Sequence, residues 1–256
     1  MPKCRKHIFL VPLKTINEYF LDEIKSLDKF SNERFAFLLS IQDHNSYVKA
    51  VESGPYSESV IIIRPDKFYE RTQHWEYVVR YAHEHFSFDS FSYYFFGDMI
   101  RLSSFPELRD CNDIYINDYY IDSWERVKEN TSNEATENRS AKEIIRQNLI
   151  FGRPLLAPLQ KIIFPRKVAT QLIFDNHHSY VCDQLMMHQL ISHGNNVVFI
   201  KSPFYKINNK NRSYSGTIRV TDIIKQQCYL YIKLRCLIGI PMIISRTLIK
   251  FVLKIN

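Results

Sequence analysis

Residues 7–43 read HIFLVPLKTINEYFLDEIKSLDKFSNERFAFLLSIQD. The stretch begins and ends with short apolar runs, HIFLVPL (7–13) and RFAFLLSIQD (34–43), which are typical of buried strands. Between these runs, apolar residues recur at helical spacing across positions 16–29. A strand, a helix and a second strand in this order predict the start of a mostly parallel, helix-flanked sheet.

The same alternation continues along the chain. SVIIIRP (59–65) predicts a third strand, and HWEYVVRYAHEHF (74–86) has the periodicity of a helix. SYYFFGDMIRL (92–102) predicts an aromatic strand that breaks at Gly97-Asp98, and DIYINDYYID (113–122) alternates like another strand. The sequence therefore predicts an α/β fold with a mostly parallel sheet flanked by helices.

Composition excludes several classes of function. The 256 residues include only six glycines, and no Gly-rich dinucleotide or phosphate-binding loop is present. The five cysteines are scattered without a Cys-x-x-Cys pair, which favours reduced thiols in the cytosol over a disulfide scaffold or a zinc site. MPKCRKHIFLVPL (1–13) has too short an apolar run for a secretory signal.

The positive charge is concentrated in the last part of the chain. The formal net charge is +7, and residues 223–256 contain six basic residues and no acid, which leaves about +1 for the rest. No basic stripe with interleaved aromatics occurs before the tail, so nucleic acid is not an expected partner.

The tail predicts a separate unit. We divide the chain into a domain at 1–218 and a basic amphipathic tail at 219–256. The longest uncharged run of the tail has ten residues, whereas crossing a bilayer takes about 20. Its cations favour a helix that lies on an anionic membrane surface through residues 223–256. The alternative is a C-terminal helix that packs on the domain, with its lysines reaching water.

Chemistry-bearing residues follow the predicted strands. Ligands of open parallel sheets bind beyond the carboxyl ends of the strands, where Pro12, Asp43 and Asp98 are expected. Asp183 begins an apolar helical run that ends at Gly194. A helix N-terminus is expected to lower the pKa of this carboxylate and keep it ionised, and an ionised carboxylate there can act as a general base. The alternative for Asp183 is a helix N-terminal charge without a catalytic role.

The second half of the chain carries a motif that resembles the acceptor half of family 2 glycosyltransferases. An apolar-basic segment is followed by a Phe-acid pair, an acid, an apolar helix, a Gly, a strand and a Pro-aromatic-Tyr. The matching residues are Lys161-Ile162-Ile163-Phe164, Phe174-Asp175, Asp183, Leu185-Met186-Met187, Gly194, VVFI (197–200) and Pro203-Phe204-Tyr205. In the first half, Pro12, Asp43 and FFGDMIRL (95–102) stand where the family has its nucleotide-sugar-binding elements, so the resemblance covers about residues 7–215.

The resemblance implies a fold of the GT-A type and roles for individual residues. Asp183 is expected as the catalytic base, and Lys161, His177 and His178 as contacts of the acceptor. Pro12, Asp43, Asp98 and Arg212 are expected to bind the nucleotide sugar, with Asp98 as the ligand of Mg²⁺ or Mn²⁺. Met99 and Ile100 replace further acids of the family motif and offer no oxygen ligand. A single-carboxylate metal site, metal-independent transfer and loss of activity therefore remain open.

The sequence thus predicts a glycosyltransferase that moves a sugar, with inversion, from a nucleotide-sugar donor to a glycan or a lipid-linked acceptor. The resemblance implies bacterial surface-polysaccharide synthesis by a cytoplasmic protein held at the inner face of the cell membrane. The alternative is a non-catalytic relative that binds a glycan or a partner protein at the membrane.

Overall fold

The structure is a computed structural model, and it describes residues 6–30, 32–125, 127–129, 140–152, 156, 158–208 and 218–252. Its strands are β1 (His7–Leu13), β2 (Phe35–Ile41), β3 (Val60–Ile63), β4 (Ser90–Tyr93), β5 (Met99–Ile100), β6 (Ile114–Asn117), β7 (Tyr119–Ile121), β8 (Val127–Lys128), β9 (Ile162–Pro165), β10 (Val197–Ile200) and β11 (Tyr205–Ile207). Its α-helices are α1 (Glu18–Phe30), α2 (His44–Glu52), α3 (Arg71–His85), α4 (Ala141–Ile150), α5 (Cys182–Ser192), α6 (Val220–Lys233) and α7 (Gly239–Val252).

The central sheet has the order β10-β6-β9-β4-β1-β2-β3. Every neighbouring pair is parallel except those made by β9, which runs antiparallel to β4 and β6. The middle strands β1 and β2 are buried along almost their whole length, because helices cover both faces of the sheet. The predicted mostly parallel, helix-flanked sheet is confirmed.

Two apolar cores lie on the two faces of this sheet. On one face, Ile24 and Leu27 of α1 pack with Phe9 and Phe37. On the other face, α3 and α5 pack with the alternate side chains of the same strands, including Leu10 and Leu38. The period of two in the strands and the period of about 3.6 in the helices thus place the apolar residues of both on shared interfaces.

A smaller sheet, β5-β11-β7-β8, lies beside the central one. The sequence predicts one strand at 113–122, and this prediction is wrong. The segment forms two strands, because β6 joins the central sheet and β7 joins the smaller one. Asp118 separates the two strands and is buried. The aromatic strand does break at Gly97-Asp98, into β4 and β5.

The described part of the tail forms a helical hairpin packed on the domain. Leu230 and Tyr231 of α6 are fully buried in the core beneath α3 and α5. Gly239 at the start of α7 lies so close to the body that an added Cβ would be 2.3 Å from Cε1 of Tyr231 and 2.7 Å from the carbonyl oxygen of Leu149. For α6, the structure therefore shows the alternative of a C-terminal helix that packs on the domain. Within the described residues, no helix combines the length and the apolar character needed to cross a bilayer.

The cysteines differ from expectation at one position. Cys182, Cys228 and Cys236 are free thiols. Cys111 is disulfide-bonded, so the expectation of reduced thiols is wrong there.

Candidate active site

A cavity of about 350 Å³ lies at the carboxyl ends of β1, β2 and β3. Lys14, Asp43, Arg64 and Phe68 are among the residues that line it. The position agrees with the general placement of ligands in open α/β sheets. Pro12 lies on β1 opposite Ser40 of β2 and is not part of this lining.

Asp43 has a structural role in the wall of this cavity. It is the N-cap of α2, and its carboxylate accepts a hydrogen bond from the backbone N–H of Ser46 at 2.8 Å. That hydrogen bond lowers the pKa of Asp43, so its partly exposed carboxylate stays ionised at neutral pH. Arg64 donates a hydrogen bond to Nδ1 of His44 at 2.9 Å, which places a positive charge on the facing side of the cavity.

Asp98 is held by the protein on both carboxylate oxygens. Its side chain is 5% exposed. Oδ2 accepts hydrogen bonds from the Tyr205 hydroxyl at 3.0 Å and from Nε2 of Gln160 at 3.3 Å, and Oδ1 accepts one from the backbone N–H of Asn208 at 2.9 Å. These bonds tie the residue before β5 to β11 and to the 3₁₀ turn Leu159–Lys161.

This donor set does not fit a divalent cation held by the protein. Such a cation needs several oxygen ligands, whereas Met99 and Ile100 beside Asp98 supply no side-chain oxygen. Among the described residues, no group of three or more His, Cys, Asp or Glu side chains is arranged to hold a metal ion.

Glu23 of α1 is a second acid in the neighbourhood of Asp98. Its carboxylate accepts hydrogen bonds from the Tyr94 hydroxyl and from the backbone N–H of Gly97. Burial raises the pKa of Glu23, the charge of Asp98 raises it further, and the two hydrogen bonds oppose the shift. The sequence offered no signal for this contact, because Glu23 reads as an ordinary polar residue of an amphipathic helix.

Asp183 lies in the first turn of α5, as the sequence predicted. Its Oδ1 accepts a hydrogen bond from the backbone N–H of Gln184 at 2.8 Å. Burial nevertheless raises the pKa of Asp183 to about 6, against the lowering effects of that hydrogen bond and of Arg71 and Lys161. The expectation that the helix N-terminus lowers this pKa is wrong, because loss of hydration outweighs the helix dipole.

Lys161 is the positive charge next to Asp183 on the sheet side. It is 2% exposed, and its ammonium lies 5.6 Å from the centre of the Tyr119 ring. Burial lowers the pKa of Lys161 to about 7, while the charges of Asp183 and Asp118 raise it. Lys161 and Asp183 each favour the charged form of the other.

One short segment connects the two predicted acids. Gln160 and Lys161 are neighbours in the 3₁₀ turn Leu159–Lys161, which leads into β9. Gln160 donates its hydrogen bond to Asp98, and Lys161 interacts electrostatically with Asp183. Asp98 and Asp183 thus both interact with this one segment, although 85 positions separate them in the sequence.

Arg71 is the positive charge on the helix side of Asp183, and sequence reasoning missed it. It begins α3, donates a hydrogen bond to the carbonyl oxygen of Ser179, and its guanidinium lies 4.8 Å from the centre of the Trp75 ring. Its charge lowers the pKa of Asp183. Its position at the first turn of a helix was the available signal.

The two predicted acceptor histidines differ in environment. His178 is half-buried, its Nδ1 lies 2.8 Å from Oδ2 of Asp175, and its ring stacks on Tyr229 of α6 at 3.5 Å between centroids. His177 has an exposed side chain, and its backbone N–H donates to Asp175. Both belong to the loop that precedes α5. Arg212 lies outside the described residues.

This arrangement provides groups for acid–base chemistry. A half-buried carboxylate with a pKa near 6 can take up a proton from a hydroxyl, and two cations beside it can stabilise negative charge that develops nearby. The cavity at the ends of β1–β3 provides a separate, preformed place for a ligand.

Solved structures with a similar fold include glycosyltransferases. Residues 1–349 of TarS from S. aureus in complex with UDP-GlcNAc match with a TM-score of 0.59 and 11% identity, over 95% of this chain and 71% of that one. The mannosyltransferase PcManGT from Pyrobaculum calidifontis in complex with GDP-Man and Mn²⁺ matches with a TM-score of 0.58 and 10% identity, over 95% and 70%.

Glucosyl-3-phosphoglycerate synthase from Mycobacterium tuberculosis, in complex with Mg²⁺ and UDP, matches with a TM-score of 0.52 and 9% identity, over 87% and 79%. No protein-family model and no curated protein sequence matches the chain. At these identities the comparisons show a GT-A-like fold, and activity has to be argued from the site.

Proposed function

We propose that the protein transfers a sugar, as a hexosyltransferase, from a nucleotide-sugar donor to a hydroxyl of a glycan or lipid-linked acceptor. The observation that supports this proposal most directly is that Asp98 and Asp183 both interact with the segment Gln160-Lys161. The pKa of Asp183, raised to about 6, lies near neutral pH. The glycosyltransferases of the same fold, solved with UDP-GlcNAc, GDP-Man or UDP, support this proposal.

In the proposed reaction, Asp183 accepts the proton of the acceptor hydroxyl while the hydroxyl oxygen attacks the anomeric carbon of the donor. The new carbon–oxygen bond forms as the bond to the diphosphate breaks, and the nucleoside diphosphate leaves with the electron pair. A single displacement from the opposite side inverts the anomeric carbon. Lys161 and Arg71 hold Asp183 in its ionised state and favour negative charge around it.

The nucleotide is proposed to lie in the cavity at the ends of β1–β3. Asp43 forms part of its wall and would accept hydrogen bonds from the nucleoside, with Pro12 on the adjoining strand. Asp98 would lie near the diphosphate, just before the start of β5, and Arg212 would add a positive charge. Mg²⁺ or Mn²⁺ at Asp98 is not carried into this proposal, because both oxygens of Asp98 accept hydrogen bonds from the protein and its neighbours supply no further side-chain oxygen.

The acceptor side is proposed to include Lys161, His177 and His178. Donor turnover tests the transfer proposal, with UDP and GDP sugars supplied with and without Mn²⁺ and the released nucleoside diphosphate measured. We expect release that depends on Asp183. No release from either class of donor, under both metal conditions, would contradict the proposal.

The tail is proposed to hold the protein on an anionic membrane surface, at the inner face of a bacterial cell membrane where surface polysaccharide is assembled. Met242, Ile249 and Val252 project from one side of α7 and are exposed. Exposed Lys233 ends α6, exposed Arg235 lies in the turn between α6 and α7, and both add positive charge to the tail.

Co-sedimentation with phosphatidylglycerol liposomes tests the membrane proposal. The variant Met242→Glu with Ile249→Glu should remain in the supernatant while the unaltered protein sediments. Tyr19→Glu, at an 83% exposed position on α1, is the matched control and should sediment normally. Equal sedimentation of the α7 variant and the unaltered protein would contradict the proposal.

The second candidate function is a non-catalytic glycan- or partner-binding protein at the membrane. The observation in its favour is Asp98, whose carboxylate oxygens accept hydrogen bonds from Gln160, Tyr205 and Asn208 in a fixed structural role. Binding of a nucleotide sugar without any turnover would favour this candidate.

A further inference from the structure

A second cavity, of about 580 Å³, opens along the outer side of α3. It is lined by residues of α3, by the loop that precedes α3, and by Asn176 from the loop that precedes α5. We call it the α3 groove. None of the predicted site residues that the structure describes lines it.

Three tyrosines form the wall of the α3 groove. Tyr69 and Tyr77 stack with ring centroids 4.9 Å apart, and Tyr77 and Tyr81 lie 5.9 Å apart. Tyr77 and Tyr81 are one helical turn apart at the edge of the buried face of α3, and both pack partly against the core that contains Val78 and Ala82. Because the rings pack against one another and are half-buried, they present a fixed row of ring edges and hydroxyl groups.

Charges along the α3 groove are balanced. Arg80 forms an ion pair with Glu76 on the preceding turn. The ammonium of Lys67 lies 5.2 Å from the centre of the Tyr69 ring, and Glu84 lies one turn beyond Arg80. A neutral ligand is favoured here, since a polyanion would meet Glu76 and Glu84 and a polycation would meet Lys67 and Arg80.

The α3 groove adjoins the cavity at the ends of β1–β3 and the loop that precedes α5. Lys67 and Phe68 line the α3 groove and the cavity at the ends of β1–β3. Asn176, whose side-chain oxygen accepts a hydrogen bond from Thr72, belongs to the same loop as His177 and His178. A chain-like ligand in the groove would therefore reach towards Arg71 and Asp183.

We propose that the α3 groove binds a neutral oligosaccharide, namely the part of an acceptor glycan that lies beyond the sugar being modified. Sugars combine apolar C–H faces with many hydroxyl groups, which match a row of ring edges, phenol hydroxyls and the amides of Gln73 and Asn176. This inference rests on the proposed glycosyl transfer, because it names where the acceptor of that reaction extends.

Equilibrium binding of fluorescently labelled neutral hexasaccharides tests the inference without a donor. The panel is cellohexaose, chitohexaose, maltohexaose and mannohexaose, each compared with its monosaccharide. We expect at least one hexasaccharide to bind, with about tenfold weaker binding in Tyr77→Ala and in Tyr81→Ala, which each remove a ring contact and a hydroxyl.

Two further variants distinguish a local loss of binding in the groove from misfolding. Gln73→Glu keeps the side-chain oxygen that accepts the hydrogen bond from the backbone N–H of Glu70, removes the amide N–H donors and should weaken binding by a few fold. Tyr19→Ala on α1 should bind as the unaltered protein does. No binding by any hexasaccharide, or unchanged binding in Tyr77→Ala and Gln73→Glu, would overturn the inference. Donor turnover by the unaltered protein is measured separately, so failure of the groove and failure of the transfer proposal are distinguishable.

Discussion

Replacing Asp183 by Asn separates a catalytic role of this side chain from a structural one. Asn keeps the size of Asp and an oxygen that can accept the hydrogen bond from Gln184, but it cannot take up a proton. We expect kcat/KM for sugar transfer to fall by about 10²- to 10⁴-fold, the usual contribution of a positioned general base.

The same substitution is expected to lower activity and yet to stabilise the folded protein. Folding raises the pKa of Asp183 from 3.8 to about 6, so the folded state binds its proton more tightly than the unfolded state does. The resulting penalty is absent below the unfolded pKa, grows as the pH rises, and is complete above about 6. It corresponds to at most about 3 kcal/mol, at about 1.4 kcal/mol for each unit. We therefore expect Asp183→Asn to increase the free energy of unfolding near neutral pH, and much less near pH 4.

Urea unfolding and a pH–rate profile measure both effects. The rate of the unaltered protein should fall about tenfold for each pH unit below about 6, because protonated Asp183 cannot act as a base. Asp222→Asn is the matched control, since Asp222 also lies in the first turn of a helix, α6, and pairs with Arg219 on the surface. Full activity of Asp183→Asn, or a flat profile between about pH 5 and 7, would refute the base assignment.

Three other substitutions give independent tests. Lys161→Met removes a charge that lowers the pKa of Asp183, so the acidic limb of the pH–rate profile should move to higher pH, and an unmoved limb would contradict the coupling. Asp98→Ala leaves buried donors without their acceptor and should destabilise the protein by about 2–4 kcal/mol in urea unfolding; an unchanged midpoint would remove its structural role. Gly239→Ala forces a Cβ against Tyr231 and should cost about 1–3 kcal/mol, whereas a neutral effect would show that α7 is not docked as described.

The sequence predicts those parts of the fold that depend on local patterns. The apolar runs of β1 and β2 and the helical periodicity of α1 lie close to their observed bounds, because burial on both faces leaves continuous apolar strands. The short helix α2 was missed, since nine residues provide little periodicity. The division of 113–122 between two sheets was missed as well, because alternation does not show which sheet a strand joins.

The candidate site was predictable where single residues end or begin an element. Asp43, Asp98 and Asp183 occupy such positions, as expected. The partners of these acids were not predictable, because Glu23, Arg71 and Gln160 approach them from distant parts of the chain. The raised pKa of Asp183 has the same origin, since the burial that causes it is a property of the assembled fold.

The central claim is that a bound nucleotide sugar extends from the cavity at the ends of β1–β3 towards Asp98 and Asp183. Crystals soaked in parallel with UDP and GDP, each with and without Mn²⁺, test it most directly. The account predicts a base in the cavity beside Asp43 and a diphosphate that extends towards Asp98 on the side of Lys161. A nucleotide bound away from all three acids, in a protein that still turns over the matching donor, would contradict it.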